Sequence, residues 1–174
     1  VWLAGATVVV LPLPMRMSSI EEFLDQTRRR ILGADTRLLV VDAELAPFLE
    51  WQEGDPATVG YDDLVGDGAA WTAPPTTADD LAILQFTSGS TSDPKGVMLP
   101  HRAVLANVDA IAHAISLDPA TDVAVSWLPL YHDMGLIGFV VAPLYTLVQV
   151  MFLPTMAFIR RPSIWLEAIH RFRG

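Results

Sequence analysis

Along the chain, short unbroken apolar runs alternate with stretches in which apolar residues return every three or four positions. The runs are TVVVLPL (7–13), RLLVVD (37–42), LAILQF (81–86), VAVSWL (123–128) and VQVMFL (148–153), and each predicts a buried strand. Between them, Ser18 or Ser19 with Glu21 or Glu22 forms a capping-box pattern that opens a helix, and Gly33 can end it. Val104, Leu105, Val108, Ile111, Ala112 and Ile115 repeat at helical spacing, and DMGLIGFVVAPLYTL (133–147) and SIWLEAIHRF (163–172) read as further helices. Strands that are apolar throughout and alternate with helices predict an α/β fold with a mostly parallel sheet covered on both faces. From Trp51 to Asp80 the composition shifts to Gly, Pro, Asp and Thr, which predicts a loop or linker over 51–80.

One apolar stretch has the length of a membrane span. Met134 to Ile159 contains no Asp, Glu, Lys, Arg or His and is long enough to cross a bilayer. Pro143, Gln149 and Pro154 interrupt it, and VQVMFL has strand character, so a helix and a strand broken near Leu147 are expected instead of a transmembrane segment.

Composition narrows the function classes. With 174 residues and 52% hydrophobic content, the chain holds enough material for one domain with a real core. A net charge of −9 argues against nucleic acid, which leaves a basic footprint on its binders. The lack of cysteine excludes a disulfide scaffold and a thiolate metal site, and fits a cytoplasmic protein. The chain opens inside an apolar run with no initiator methionine and stops after a helical pattern, so a segment of a longer protein is expected.

Lys95 is the only lysine among 11 Lys and Arg residues, and it lies in QFTSGSTSDPKGVMLPH (85–101). A strand leading into a Gly- and hydroxyl-rich loop, then a helix, exposes backbone N–H groups that can cradle phosphate oxygens. Ser88, Ser90, Thr91 and Ser92 add hydroxyls, and Lys95 adds a mobile cation. The G-x-x-x-x-G-K-[ST] loop does not fit: counted from Gly89, Pro94 takes the place of the second Gly and Gly96 that of the final Ser/Thr. On composition alone, a plain turn would use many of the same residues.

The ordered string resembles the signature of the adenylate-forming superfamily, which includes acyl-CoA synthetases, luciferases, peptide-synthetase adenylation domains and fatty acyl-AMP ligases. That loop runs T-[SG]-G-[ST]-T-G-x-P-K-G. Thr87, Ser88, Gly89, Ser90, Thr91, Pro94, Lys95 and Gly96 match it, and Ser92 replaces the usual Gly. SWLPLYHDMGLIG (126–138) is similar to the next block, P-[LM]-[FY]-H-x-x-G, and LYHDMGLIG is most like the fatty acyl-AMP ligase branch. LAGATVVVLPLP (3–14) resembles an upstream block.

The resemblance implies part of a large N-terminal AMP-binding domain covering 1–174, with the C-terminal lid and its lysine absent. It also implies ATP and Mg²⁺ as cofactors, a fatty acid as substrate, and an acyl carrier protein or coenzyme A as acceptor. Thr87, Ser88, Gly89, Ser90, Thr91, Ser92, Lys95 and Gly96 would bind the nucleotide, with Thr87 at the metal. His132 and Lys95 would be catalytic. Asp133 is expected to cap the following helix. Such chemistry presses one anion against another, so amides, hydroxyls, Lys95 and the cation must offset repulsion while His132 aligns the carboxylate. A non-catalytic domain that keeps the loop to bind nucleotide, lipid or carrier protein is the alternative. His113 and His170 are expected in solvent, and Trp51 and Trp71 as packing anchors.

Overall fold

The computed structural model describes residues 1–13, 20–49, 52–65, 70–87 and 95–174. They divide into two compact units, Val1–Thr76 with Phe86–Val97, and Thr77–Gln85 with Met98–Gly174.

In the first unit, α1 (Ile20–Gly33) has Glu21 and Glu22 in its first turn and Arg30 in its last, the order the helix dipole favours. Thr27 and Ile31, four residues apart, form its buried stripe. The expected Ser18 or Ser19 cap lies outside the described residues. Arg28 Nη1 meets Asp55 Oδ2 at 2.8 Å, and the same oxygen accepts the Gln52 N–H at 2.7 Å, so one oxygen of this buried carboxylate has two partners. Strand β1 (Leu38–Val41) pairs in parallel with β2 (Ala57–Gly60), Leu38 lying opposite Ala57 and Val41 opposite Gly60.

Strand β2 corrects the loop expected over 51–80. Its sequence ATVG has one strongly apolar side chain, so a short strand is hidden inside a Gly- and Pro-rich composition. A 3-10 turn follows at Asp62–Leu64, where the Asp63 carboxylate accepts the Gly60 N–H at 3.1 Å. The strand expected over TVVVLPL is reduced to an isolated bridge at Val8. Trp71 is not a buried anchor: it is 62% exposed, and its indole N–H donates to the Leu3 carbonyl at 2.9 Å. Trp51 lies outside the described residues.

Strands β3 (Leu81–Phe86) and β4 (Gly96–Pro100) form the second pair. β3 matches its predicted span; β4 has no counterpart among the predicted strands. The expected order of strand, loop and helix is therefore strand, loop, strand and helix. Helix α2 (His101–Ala114) carries the residues predicted at helical spacing, and its first N–H groups are already engaged: those of His101 and Arg102 donate to the Asp80 and Ala78 carbonyls. Val104 and Val108 of its predicted stripe are buried, Ile111 and Ala112 are half-buried, and Leu105 and Ile115 are exposed.

Strand β5 (Val123–Ser126) pairs in parallel with β6 (Gln149–Phe152), with Val123 opposite Gln149 and Ser126 opposite Phe152. Two parallel pairs among helices make the fold α/β, as the alternation predicts. The helix expected over 133–147 is a π-helix at Met134–Val141 followed by α3 (Ala142–Thr146). Leu147 ends it in the left-handed region at φ 64°, so the uncharged stretch breaks where expected. No helix among the described residues is long and apolar enough to cross a membrane. Helix α4 (Thr155–Arg160) has no counterpart among the predicted helices, and α5 (Ser163–Phe172) matches its predicted span.

Ile83 on β3 is fully buried, whereas Ile115 is 63% exposed. Ile83→Ala is expected to cost about 2–5 kcal/mol and Ile115→Ala less than about 0.5 kcal/mol, read as urea unfolding of the two variants side by side.

Candidate functional site

Thr87 and Lys95 close the base of the hydroxyl-rich loop. The Thr87 backbone N–H donates to the Lys95 carbonyl at 3.0 Å, and the Thr87 hydroxyl lies 3.4 Å from the same oxygen. A hydroxyl that donates inward keeps its lone pairs for a cation. Thr87, Lys95 and Gly96 are all exposed, with β3 and β4 leading into and out of the turn. Ser88, Gly89, Ser90, Thr91 and Ser92 lie outside the described residues.

His132 belongs to the second unit, on the segment that leaves β5. That segment is secured one backbone group at a time. The Ser126 hydroxyl accepts the Leu128 N–H at 3.2 Å, and the Thr155 hydroxyl donates to the Trp127 carbonyl at 2.8 Å. The Trp127 ring stacks on Phe158 at 3.7 Å, Phe158 meets Trp165 edge to face, and the Trp165 indole N–H donates to the Val125 carbonyl. Next, the His132 N–H donates to the Pro129 carbonyl and the Leu136 N–H to the His132 carbonyl.

The π-helix begins immediately afterwards, capped by Asp133, whose Oδ1 accepts the Met134 N–H at 2.7 Å. The expected capping role of Asp133 is thus present. The same oxygen lies 2.6 Å from His132 Nδ1. The Met134 N–H is also directed at His132 Nδ1, at 3.3 Å, so cap and ring meet on the Nδ1 side and Nε2 is the ring nitrogen left for a ligand. Gly135 explains its own identity: a Cβ there would lie 2.2 Å from the Pro129 carbonyl oxygen.

Strand β3 contributes a residue that the motifs do not include. Gln85 is 9% exposed, and its Nε2 donates to the Tyr131 carbonyl at 2.6 Å, next to His132. The available signal is the single polar side chain in the apolar run LAILQF. His113 and His170 are exposed as expected. A cleft of about 230 Å³ in the first unit, lined by Leu24, Thr27, Arg28, Ile31, Leu49 and Asp55 among others, contains none of the motif residues.

Residues 1–174 match the family model described as AMP-binding enzyme. The chain belongs to that family. The long-chain-fatty-acid–AMP ligase FadD26 of Mycobacterium tuberculosis is 47% identical over 91 residues, which are 51% of this chain and 16% of that protein. The 4-hydroxyphenylalkanoate adenylyltransferase of Mycobacterium marinum is 33% identical over 178 residues, covering 98% of this chain and 29% of that protein. A structure from a study of fatty acyl-adenylate ligases of E. coli and L. pneumophila superposes with a TM-score of 0.89 at 32% identity, covering 99% of this chain and 32% of that one. Against the curated relatives that it matches along nearly its whole length, the chain spans about a third of theirs.

In this member of the AMP-binding enzyme family, the glycines of the His132 block are separable by test. Gly135→Ala drives a methyl into the Pro129 carbonyl and is expected to cost about 1–3 kcal/mol, whereas Gly138→Ala, with nothing within 4 Å of its Cβ, is expected to be neutral or stabilising by up to about 1 kcal/mol. Thermal unfolding of both variants checks the contrast.

Proposed function

We propose that the protein carrying this chain activates a fatty acid with ATP. A carboxylate oxygen attacks the α-phosphorus, the bond from that phosphorus to the bridging oxygen breaks, and pyrophosphate leaves as the acyl-adenylate forms. The thiol of a carrier-protein phosphopantetheine or of coenzyme A then attacks the acyl carbonyl, a thioester forms as the bond to the AMP phosphate oxygen breaks, and AMP leaves. The observation that carries this reading is the family match over the whole chain with Lys95 and His132 in place.

The named roles follow from the chemistry of the side chains. Lys95 holds the β- and γ-phosphates as a point charge on a flexible stem, and its exposure suits that task. The hydroxyls of Ser88, Ser90, Thr91 and Ser92, with the amides of Gly89 and Gly96, are the donors assigned to the same phosphates. Mg²⁺ fits the donor set: it takes few protein oxygens beside substrate phosphates, and the exposed Thr87 hydroxyl can provide one. When bound, the cation supplies charge neutralisation at the phosphates. His132, with Nδ1 against Asp133, uses Nε2 to align the carboxylate for in-line attack.

The test is fatty-acid-dependent ATP–pyrophosphate exchange by the whole protein, across acyl chain lengths and followed by offering coenzyme A or a carrier protein. His132→Ala is expected to slow exchange by about 10²-fold or more. Lys95→Ala is expected to lower both ATP affinity and rate. Normal exchange in both folded variants would remove them from the mechanism, and ATP binding without any exchange would instead make the protein a binding module.

A further inference from the structure

The segment from Trp127 to His132 is tied at its start by Ser126 and Thr155, but its end, beside His132, is tied to another element through Gln85. Gln85 stands on β3, 46 residues away in sequence, between buried Ile83 and the first hydroxyl of the loop, Thr87. Its amide orientation is set by its partner, because a carbonyl can only accept and Nε2 must therefore face Tyr131. The other amide atom, Oε1, is buried with no hydrogen-bond partner among the described residues. A strand whose other buried positions, Ala82 and Ile83, are apolar thus keeps a half-satisfied amide where an apolar side chain would cost less. Serving only as core filler does not account for it; fixing the Tyr131 carbonyl does.

We propose that Gln85 is a positioning residue for His132: by anchoring the Tyr131 carbonyl to β3, it sets the height and direction of the imidazole on the next residue. The proposal rests on the reading of His132 as the group that aligns the carboxylate. Gln85 touches no reacting atom. It acts through one peptide unit, which transmits a displacement of its carbonyl directly to the Cα of residue 132. A misplacement of about 1 Å at an aligning group is enough to cost about 10²-fold in rate.

The experiment uses the whole protein with Gln85→Met, which keeps length and bulk but removes the donor, and Gln85→Glu, which puts a carboxylate against the carbonyl. Gln85→Met is expected to melt within a few degrees of the native protein while its fatty-acid-dependent exchange rate falls by about ten- to a hundredfold and the KM for ATP stays level. Combined with His132→Ala, it is expected to add little, because both changes remove one function. Unchanged exchange in folded Gln85→Met, or losses that multiply in the double variant, would overturn the proposal. A second readout does not depend on activity: with ¹⁵N-labelled histidine, the ring signals of His132, assigned by their loss in His132→Ala, are expected to shift in both Gln85 variants. If the native protein shows no fatty-acid-dependent exchange, the adenylation reading fails, and these signals still decide the matter: displaced signals support the positioning link and coincident ones sink it.

Discussion

A polar imidazole can be held still on a surface segment only if the backbone beneath it is satisfied, and this requirement organises the second unit. The chain leaves β5 with carbonyls and N–H groups that no longer belong to a strand ladder, and several of them find partners of different kinds. Ser126 answers from within the strand, Thr155 from the start of α4, Pro129 and His132 from within the turn, and Gln85 from β3. The aromatic trio Trp127, Phe158 and Trp165 packs the base, and Trp165 returns a hydrogen bond to β5 itself. The exposed side chain of His132 therefore stands on a segment restrained from several sides, which is how a loop position gains the precision of a strand.

The π-helix that follows extends the same logic. Its wide i→i+5 turn is uncommon and tends to occur beside functional positions. Here the first residues after the cap bring Gly135 so close to Pro129 that only hydrogen fits. That close approach folds the chain back against the turn preceding His132, and the Met134 N–H that opens the helix is directed at both Asp133 Oδ1 and His132 Nδ1. Cap, ring and helix start are one local unit.

Much of the fold is legible in the sequence because strands rich in apolar side chains write themselves as continuous runs, even where, as in β6, no residue is buried. RLLVVD, LAILQF, VAVSWL and VQVMFL each contain an observed strand. What such runs report is a side-chain preference for a buried sheet surface; they do not report a partner for the backbone, and TVVVLPL has the preference without the ladder. The converse case is β2, which has its ladder to β1 with little of the preference. Strand β4 is concealed for a third reason: its Val97 and Met98 are exposed, and the glycine before them reads as the tail of a loop. The π-helix is invisible because an evenly apolar stretch does not distinguish a helix of 3.6 residues per turn from a wider one.

At the site, sequence shows which chemistry is present but not what keeps it in place. Lys95 and His132 stand out through residue type and motif spacing, while the support for His132 comes from positions whose separation in sequence carries no signal. Gln85 is the sharpest instance. Leaving a buried amide oxygen unpaired costs about 1–3 kcal/mol, whereas one neutral hydrogen bond returns about 0.5–1.5 kcal/mol, so on these terms alone the residue is at best neutral for stability. An aliphatic side chain would fill the same volume without the deficit. The amide does what no aliphatic side chain can, which is to fix the direction of a particular carbonyl in the neighbouring segment. Where local stability and geometric demand disagree in this way, the retained polar group marks the position at which geometry is the stronger requirement.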